Sequence, residues 1–180
     1  MTVQKRNLIL IFDTNIFLIG IDINLIPGKI YTTPLVLNEL DVQKYEDKNR
    51  PALNRIKAAL ETKKLLVKSP SKEHIELIKK KAIKTGDLNV LSETDISIIA
   101  LATEFLKDEK NDVVVCTNDY SMQNLCSELG LKFKSIHRKG ISGKRIFETY
   151  CPFCGTIYDP EYLDNVCERC GIRLKRRPKK

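Results

Sequence analysis

The sequence predicts an α/β fold: a parallel sheet with helices on its faces, followed by a small appendage closed by cysteines. Three observations predict it. Short continuous apolar runs, which suit strands buried on both faces, alternate with longer stretches whose apolar residues recur at helical spacing. The 180 residues make about one domain with room for a little more. Four of the six cysteines stand near the C-terminus as two C-x-x-C pairs.

Each element has its own signal. Residues 7–12 form an apolar run ending at Asp13, a buried strand. Residues 34–45 read as a helix with Leu35, Leu37 (or Val36), Leu40 and Val42 available for packing. Residues 50–63 read as an amphipathic helix on Leu53, Ile56 and Leu60, with Pro51 near its first turn. Residues 65–67 suit a short strand. Residues 71–85 suit a helix capped by Ser71 and stopped by Gly86. Residues 95–107 are strongly helical, with Ile98, Ile99, Leu101, Ala102 and Phe105 near a buried face. Asp112 introduces the second buried strand, Val113 to Cys116. Residues 120–129 form a short helix closed by Gly130, and residues 131–136 a last strand. The expected organisation is a domain at 1–136, a basic linker at 137–149, a cysteine module at 150–173 and a basic tail at 174–180.

Composition narrows the function. Hydrophobic residues make up 42% and charged residues 30%, an ordinary globular balance. The net charge is +8, and the segment from His137 onward holds 11 basic against 5 acidic residues, so the C-terminal part carries the positive field. A polyanion is the partner such a field attracts. The most apolar stretch, 8–21, is broken by Asp13, Thr14 and Asn15 and is too short to span a bilayer. Lys5 and Arg6 before Leu8 imitate a signal peptide, but the apolar run ends at Asp13 and no small-residue cleavage site follows. A cytoplasmic protein is expected.

Cys151 and Cys154, then Cys167 and Cys170, form two knuckles, each followed by glycine and separated by twelve residues. In a reducing compartment such a quartet presents four thiolates in a tetrahedron, which suits structural Zn²⁺ with no open position. Its binding free energy would be most of the small module's folding free energy. Cys116 and Cys126 read as ordinary buried thiols.

The second signal is a set of scattered carboxylates. Asp13 ends the first buried strand and Asp119 follows the second. In an open parallel sheet, functional groups gather at the carboxyl ends of strands. Asp95 opens a helix that starts at the same edge, and Glu39 is flanked by apolar residues that allow it to point inward. Each also has a purely structural reading: Asp13 as a helix cap, Asp95 in a capping box with Ser92, Asp119 as a turn residue, Glu39 as half exposed. If the four converge, they cannot all stay ionised without a cation. An oxygen-only donor set selects Mg²⁺ or Mn²⁺. Such ions support phosphodiester hydrolysis without a nucleophilic Ser or Cys or a general-base His.

The motifs Ile11-Phe12-Asp13-Thr14-Asn15, Leu37-Asn38-Glu39-Leu40, Glu93-Thr94-Asp95 and Cys116-Thr117-Asn118-Asp119 resemble, in order, the four acidic motifs of PIN-domain nucleases. That fold is a Rossmann-like parallel sheet flanked by helices. Followed by a four-cysteine zinc ribbon, the whole chain resembles the Nob family, endoribonucleases that trim the 3′ end of small-subunit ribosomal RNA. The resemblance implies that Asp13, Glu39, Asp95 and Asp119 bind the catalytic metal and that Asn15 and Thr117 orient those carboxylates. It implies single-stranded precursor ribosomal RNA, within a pre-ribosomal particle, as the substrate.

An acidic site repels RNA, so basic groups must hold the strand. Arg138, Lys139, Lys144 and Arg145 in the linker, and Arg173, Lys175, Arg176 and Arg177 towards the end, are the candidates. Phe153, Tyr158 and Tyr162 either stack on unpaired bases or form the ribbon's own small core. His74 is expected exposed and idle, and His137 near phosphate. The rival readings are a PIN ribonuclease acting on other RNA, a non-cleaving RNA-binding assembly scaffold, and a zinc-ribbon DNA-binding protein.

Overall fold

The structure is a computed structural model. It describes residues 6–41, 46–136, 139–141, 143, 145–159, 162 and 164–179, with backbone alone for 46–48. Arg138, Lys144 and His137 of the expected phosphate contacts, and residues 42–45 of the expected helix, lie outside the described residues.

The first strand, β1 (Asn7–Phe12), is apolar on both faces and becomes the centre of a five-stranded sheet. The chain continues through α1 (Thr14–Leu18), a 3-10 turn (Ile23–Leu25), β2 (Lys29–Thr32), α2 (Pro34–Leu40) and α3 (Glu46–Glu61). Then come β3 (Leu65–Val67), α4 (Lys72–Thr85), α5 (Glu93–Leu106), β4 (Asn111–Cys116), α6 (Tyr120–Glu128) and β5 (Lys132–Lys134). The order is β3-β2-β1-β4-β5, and every pairing is parallel. The connections leave β1 in opposite directions, so the crevice between β1 and β4 is the switch point where open α/β sheets place their ligands.

Helix α5 packs on α4, β1 and β4 and is buried along nearly its whole first half. Ile98, Ile99 and Leu101 are fully buried, each contributing about 1.5–3 kcal/mol. Three expectations need correction. Strand β2 was not foreseen. Helix α3 begins at Glu46, so Pro51 lies inside it rather than in its first turn. His74 is buried, with Nδ1 2.7 Å from the hydroxyl of Ser71, the residue that caps α4.

The C-terminal module is a second sheet: β6 (Phe147–Tyr150) pairs antiparallel with β7 (Ile157–Tyr158) and with β8 (Lys175–Pro178). Strand β6 thus opens within the segment read as linker, and β8 lies in the segment read as tail. Arginine stems make β8 possible. Arg176 stacks on Phe147 at 3.6 Å and Arg177 on Tyr150 at 4.2 Å, and the Arg177 Nε donates to Glu148 at 2.8 Å.

The two modules meet at α6 and the turn after α4. The Arg176 guanidinium bonds Asp87, which is fully buried. Asn124 of α6 donates to the other Asp87 oxygen at 2.8 Å and to the Arg145 carbonyl at 2.7 Å, and accepts from the Arg145 amide at 2.7 Å. Gly86, at φ +70°, ends α4 so close to the second module that a Cβ there would lie 2.5 Å from the Phe147 carbonyl oxygen. Among the described residues, no helix is long and apolar enough to cross a membrane.

Removing one member of a buried ion pair strands the other. Asp87→Ala is expected to lower the unfolding free energy by about 3–5 kcal/mol, read as a drop in the urea midpoint. A change below about 0.5 kcal/mol would show that the junction carries no stability.

Candidate active site and zinc ribbon

The register Phe12↔Cys116 at the end of the β1–β4 pairing sets Asp13 beside Thr117. The Asp13 amide donates to the Cys116 carbonyl at 3.2 Å, and the Thr117 hydroxyl donates to Asp13 Oδ2 at 2.9 Å. Asp13 is 3% exposed and forms the floor of the site. Thr117 Oγ1 also accepts from the Asp119 amide at 3.1 Å, so one hydroxyl links the two strand-end acids.

Asp119 stands exposed at the rim and caps α6, its Oδ1 accepting from the amides of Ser121 at 2.7 Å and Met122 at 2.9 Å. Asp95 is half-buried in a capping box, where its Oδ2 accepts from the amide and hydroxyl of Ser92, both at 2.8 Å. The structural readings of these two acids therefore hold alongside the functional one. Each cap uses one oxygen and leaves the other available. Asn118 turns away and accepts from the Ile136 amide at 2.9 Å, which ties β5 to the strand end and leaves Asp119 as the carboxylate of this turn.

Two expectations differ from the structure. Glu39 is exposed rather than turned inward, and it accepts from the Thr14 hydroxyl at 2.5 Å. Asn15 is exposed on α1; the hydroxyl that reaches a carboxylate on this side is that of Thr14. Thr14 was missed although it directly follows Asp13. Also missed were Thr33 and Ser97, whose buried hydroxyls lie 2.8 Å apart and join α2 to α5.

Electrostatics show that the acids share one space. Asp13 is pushed up to about 6, first by burial, then by repulsion from Asp95 and Asp119, against the opposing Thr117 hydrogen bond. Asp95 is raised by burial and by Asp119 and Glu39, against its Ser92 bonds. Among the described residues none of the four acids takes part in a salt bridge. An oxygen-only set without a salt-bridge partner among the described residues fits a hard divalent ion. The carboxylates are looser than the cysteines: among the described residues, only the four thiols have ligand atoms all within 4.8 Å of one another.

The two cysteine knuckles repeat one hydrogen-bond pattern. Cys151 N donates to Thr156 O and Gly155 N to Cys151 O; Cys167 N donates to Ile172 O and Gly171 N to Cys167 O, all at 2.8–3.0 Å. Gly155 and Gly171 both have positive φ, as this turn requires. The Sγ separations of 3.4 Å (Cys151–Cys170) and 3.7 Å (Cys154–Cys167) approach the edge of about 3.8 Å expected for a tetrahedron with 2.3 Å zinc–sulfur bonds. The Tyr158 hydroxyl donates to Cys167 Sγ at 3.0 Å, which favours the thiolate. Tyr158 and Tyr162, with ring centroids 4.6 Å apart, form the ribbon's own core, while Phe153 is 76% exposed. Cys116 and Cys126 are buried, their thiols pushed up to about 11 and about 12 by burial.

The basic residues divide. Lys139, Arg145, Arg173, Lys175 and Arg177 are exposed. Arg176, read as an RNA contact, is committed to Asp87 and Phe147.

Because Asp13 is raised from 3.8 to about 6, the native state holds a proton there that the unfolded chain releases. Stability is therefore lost as pH rises through that window, by about 3 kcal/mol for this group. Glu104, lowered by Lys68, works in the opposite direction, so the comparison with Asp13→Asn isolates the effect. In zinc-loaded protein without other divalent ions, Asp13→Asn should be the more stable at pH 7 and lose its advantage below pH 4. Equal urea midpoints at pH 7 would contradict the buried repulsion.

The family model for the PIN domain of ribonuclease matches residues 10–105. Endoribonuclease Nob1 of Pyrococcus abyssi is 34% identical over 171 residues, 95% of this chain and 94% of that protein. Endoribonuclease Nob1 of Methanocaldococcus jannaschii is 31% identical over 83% of this chain and 68% of its own length. Ribonuclease VapC1 of Thermoplasma acidophilum is 30% identical over 94% of this chain and 78% of its own length. A nuclease sheet with an acidic switch point, a four-cysteine ribbon and a relative similar over nearly its full length establish that the chain belongs to the Nob1 endoribonuclease family of PIN-domain proteins.

Proposed function

We propose that this chain is a Mg²⁺- or Mn²⁺-dependent endoribonuclease that cuts single-stranded precursor small-subunit ribosomal RNA near its 3′ end, within a pre-ribosomal particle. The observation that supports the reading is Asp13 on the buried floor of the β1–β4 edge, tied through the Thr117 hydroxyl to the turn that carries Asp119. Similarity over nearly the full length of the Pyrococcus protein named Endoribonuclease Nob1 supports the choice of substrate.

In this reading Asp13, Glu39, Asp95 and Asp119 hold the divalent ion. When bound there, it supplies Lewis-acid polarisation of the phosphate and acidifies water. Thr117 fixes the Asp13 carboxylate by donating to Oδ2, and Thr14 does the same for Glu39. The Ser92 bonds and the α6 cap hold Asp95 and Asp119. Water adds across the P–O3′ bond, leaving a 5′-phosphate and a 3′-hydroxyl. Zinc at the four cysteines is structural, and a reducing, cytoplasmic setting keeps those thiolates available.

A second reading follows from the Thermoplasma relative named Ribonuclease VapC1: the same chemistry acting on other RNA. Cleavage at one position in precursor small-subunit RNA, with unrelated single strands left intact, favours the first reading; equal cleavage of both favours the second.

Asp13→Asn is expected to lower the cleavage rate by at least about 100-fold while RNA affinity stays within a few-fold, measured on labelled single-stranded RNA with Mn²⁺. Cutting at the wild-type rate would refute the site.

A further inference from the structure

Beside the acidic site lies a cavity of about 460 Å³ that the hydrolytic chemistry does not use. It is walled by the first turn of α6 (Tyr120, Ser121), by the segment carrying Lys139 and Arg145, and by Phe147 of β6. A volume in the range of about 300–1,000 Å³ takes a small organic ligand. Among the described residues the lining includes two cations and no acid, the reverse of the neighbouring cluster of carboxylates.

Three observations say what fits. Tyr120 directly follows Asp119 in the chain, and it is 56% exposed. The Tyr120 hydroxyl donates to the Lys139 carbonyl at 3.4 Å, which ties the ring to the opposite wall. Ser121 Oγ accepts from Arg176 at 3.4 Å and keeps its own proton to donate. Aromatic face, hydroxyl donor and exposed cations together suit a base, a ribose and a phosphate. The walls are held independently of any ligand: the Ile141 amide donates to Gln123 Oε1 at 2.9 Å, and Gln123 Nε2 donates at 3.0 Å to the carbonyl of Thr117, the residue that holds Asp13.

We infer that this cavity is a nucleotide subsite that takes one unpaired nucleotide of the RNA strand adjacent to the bond being cut. The inference rests on the endoribonuclease reading above. Tyr120 stacks on the base, and Lys139 and Arg145 neutralise the flanking phosphates. The subsite is a preformed space between two modules, so the ribbon contributes to substrate binding by completing a wall through Phe147, which Arg176 backs by stacking on its ring while pairing with Asp87.

The test uses the full, zinc-loaded chain and a short single-stranded RNA carrying 2-aminopurine at successive positions. Binding is read by fluorescence quenching in the non-cleaving Asp13→Asn background, and KM and kcat are read separately with Mn²⁺ in the otherwise wild-type protein. Base–aromatic stacking is worth about 1–3 kcal/mol, so Tyr120→Ala should weaken binding and raise KM by about 5- to 150-fold, with kcat little changed. Quenching should be strongest at one position next to the cleaved bond and should be lost in Tyr120→Ala. Tyr120→Phe should restore both. Lys139→Ala should weaken binding to all sequences and reduce the salt slope by about 0.7. Wild-type affinity and quenching in Tyr120→Ala would overturn the subsite while leaving the nuclease reading intact. A Tyr120→Phe variant as weak as Tyr120→Ala would overturn stacking as its basis. A wild-type protein that quenches at one position yet cuts no RNA with any divalent ion would overturn the nuclease reading and retain the subsite.

Discussion

The site depends on the parallel pairing of β1 with β4. That pairing buries two apolar strands side by side, ends both at one edge, and places Asp13 next to Thr117. A slip of one residue would send Asp13 to the opposite face, because side chains alternate along a strand. The cost of burying that carboxylate is therefore imposed by the core itself. Apolar contacts across β1, β4 and α5 supply the free energy that holds the acid where water would not keep it.

A second constraint is charge. A site of four acids repels a polyanion, while the segment from His137 onward, linker included, holds 11 basic against 5 acidic residues and so most of the chain's net positive charge. The two must stay close for either to serve a strand of RNA. The structure joins them through a buried polar junction. Arg176 meets Asp87, Asn124 bridges Asp87 to the Arg145 backbone, and Gly86 allows the close approach. Helix α6 carries both Asn124 and the Asp119 cap, so the surface that orients the ribbon also orients a rim carboxylate of the site.

Much of this was legible in the chain. The strands at β1 and β4, the helices α4, α5 and α6, and the four thiols follow from apolar runs, caps and cysteine spacing. Asp13, Asp95 and Asp119 stand at strand ends and helix starts that could be read directly. What escaped depends on tertiary context. Strand β2, Lys-Ile-Tyr-Thr, lacks the continuous apolar run that marks the even shorter Leu65–Val67 strand. Strand β8 is nearly all cationic and is stable only because its arginine stems lie on Phe147 and Tyr150. Arg176 looked like a phosphate contact because its buried partner Asp87 is 89 residues away in the chain. His74 was read as exposed because its helix is charged. Glu39 was read as inward from its apolar neighbours, yet those neighbours pack while the carboxylate stays at the rim, where a threonine hydroxyl holds it.

The most direct test of the central claim asks where a hard cation binds. Mn²⁺ added to zinc-loaded, isotopically labelled protein broadens the amide resonances of residues near it. The account predicts selective broadening at Asp13, Thr117, Asp95 and Asp119, removed by Asp13→Asn. Broadening elsewhere, with those four residues untouched, would contradict it.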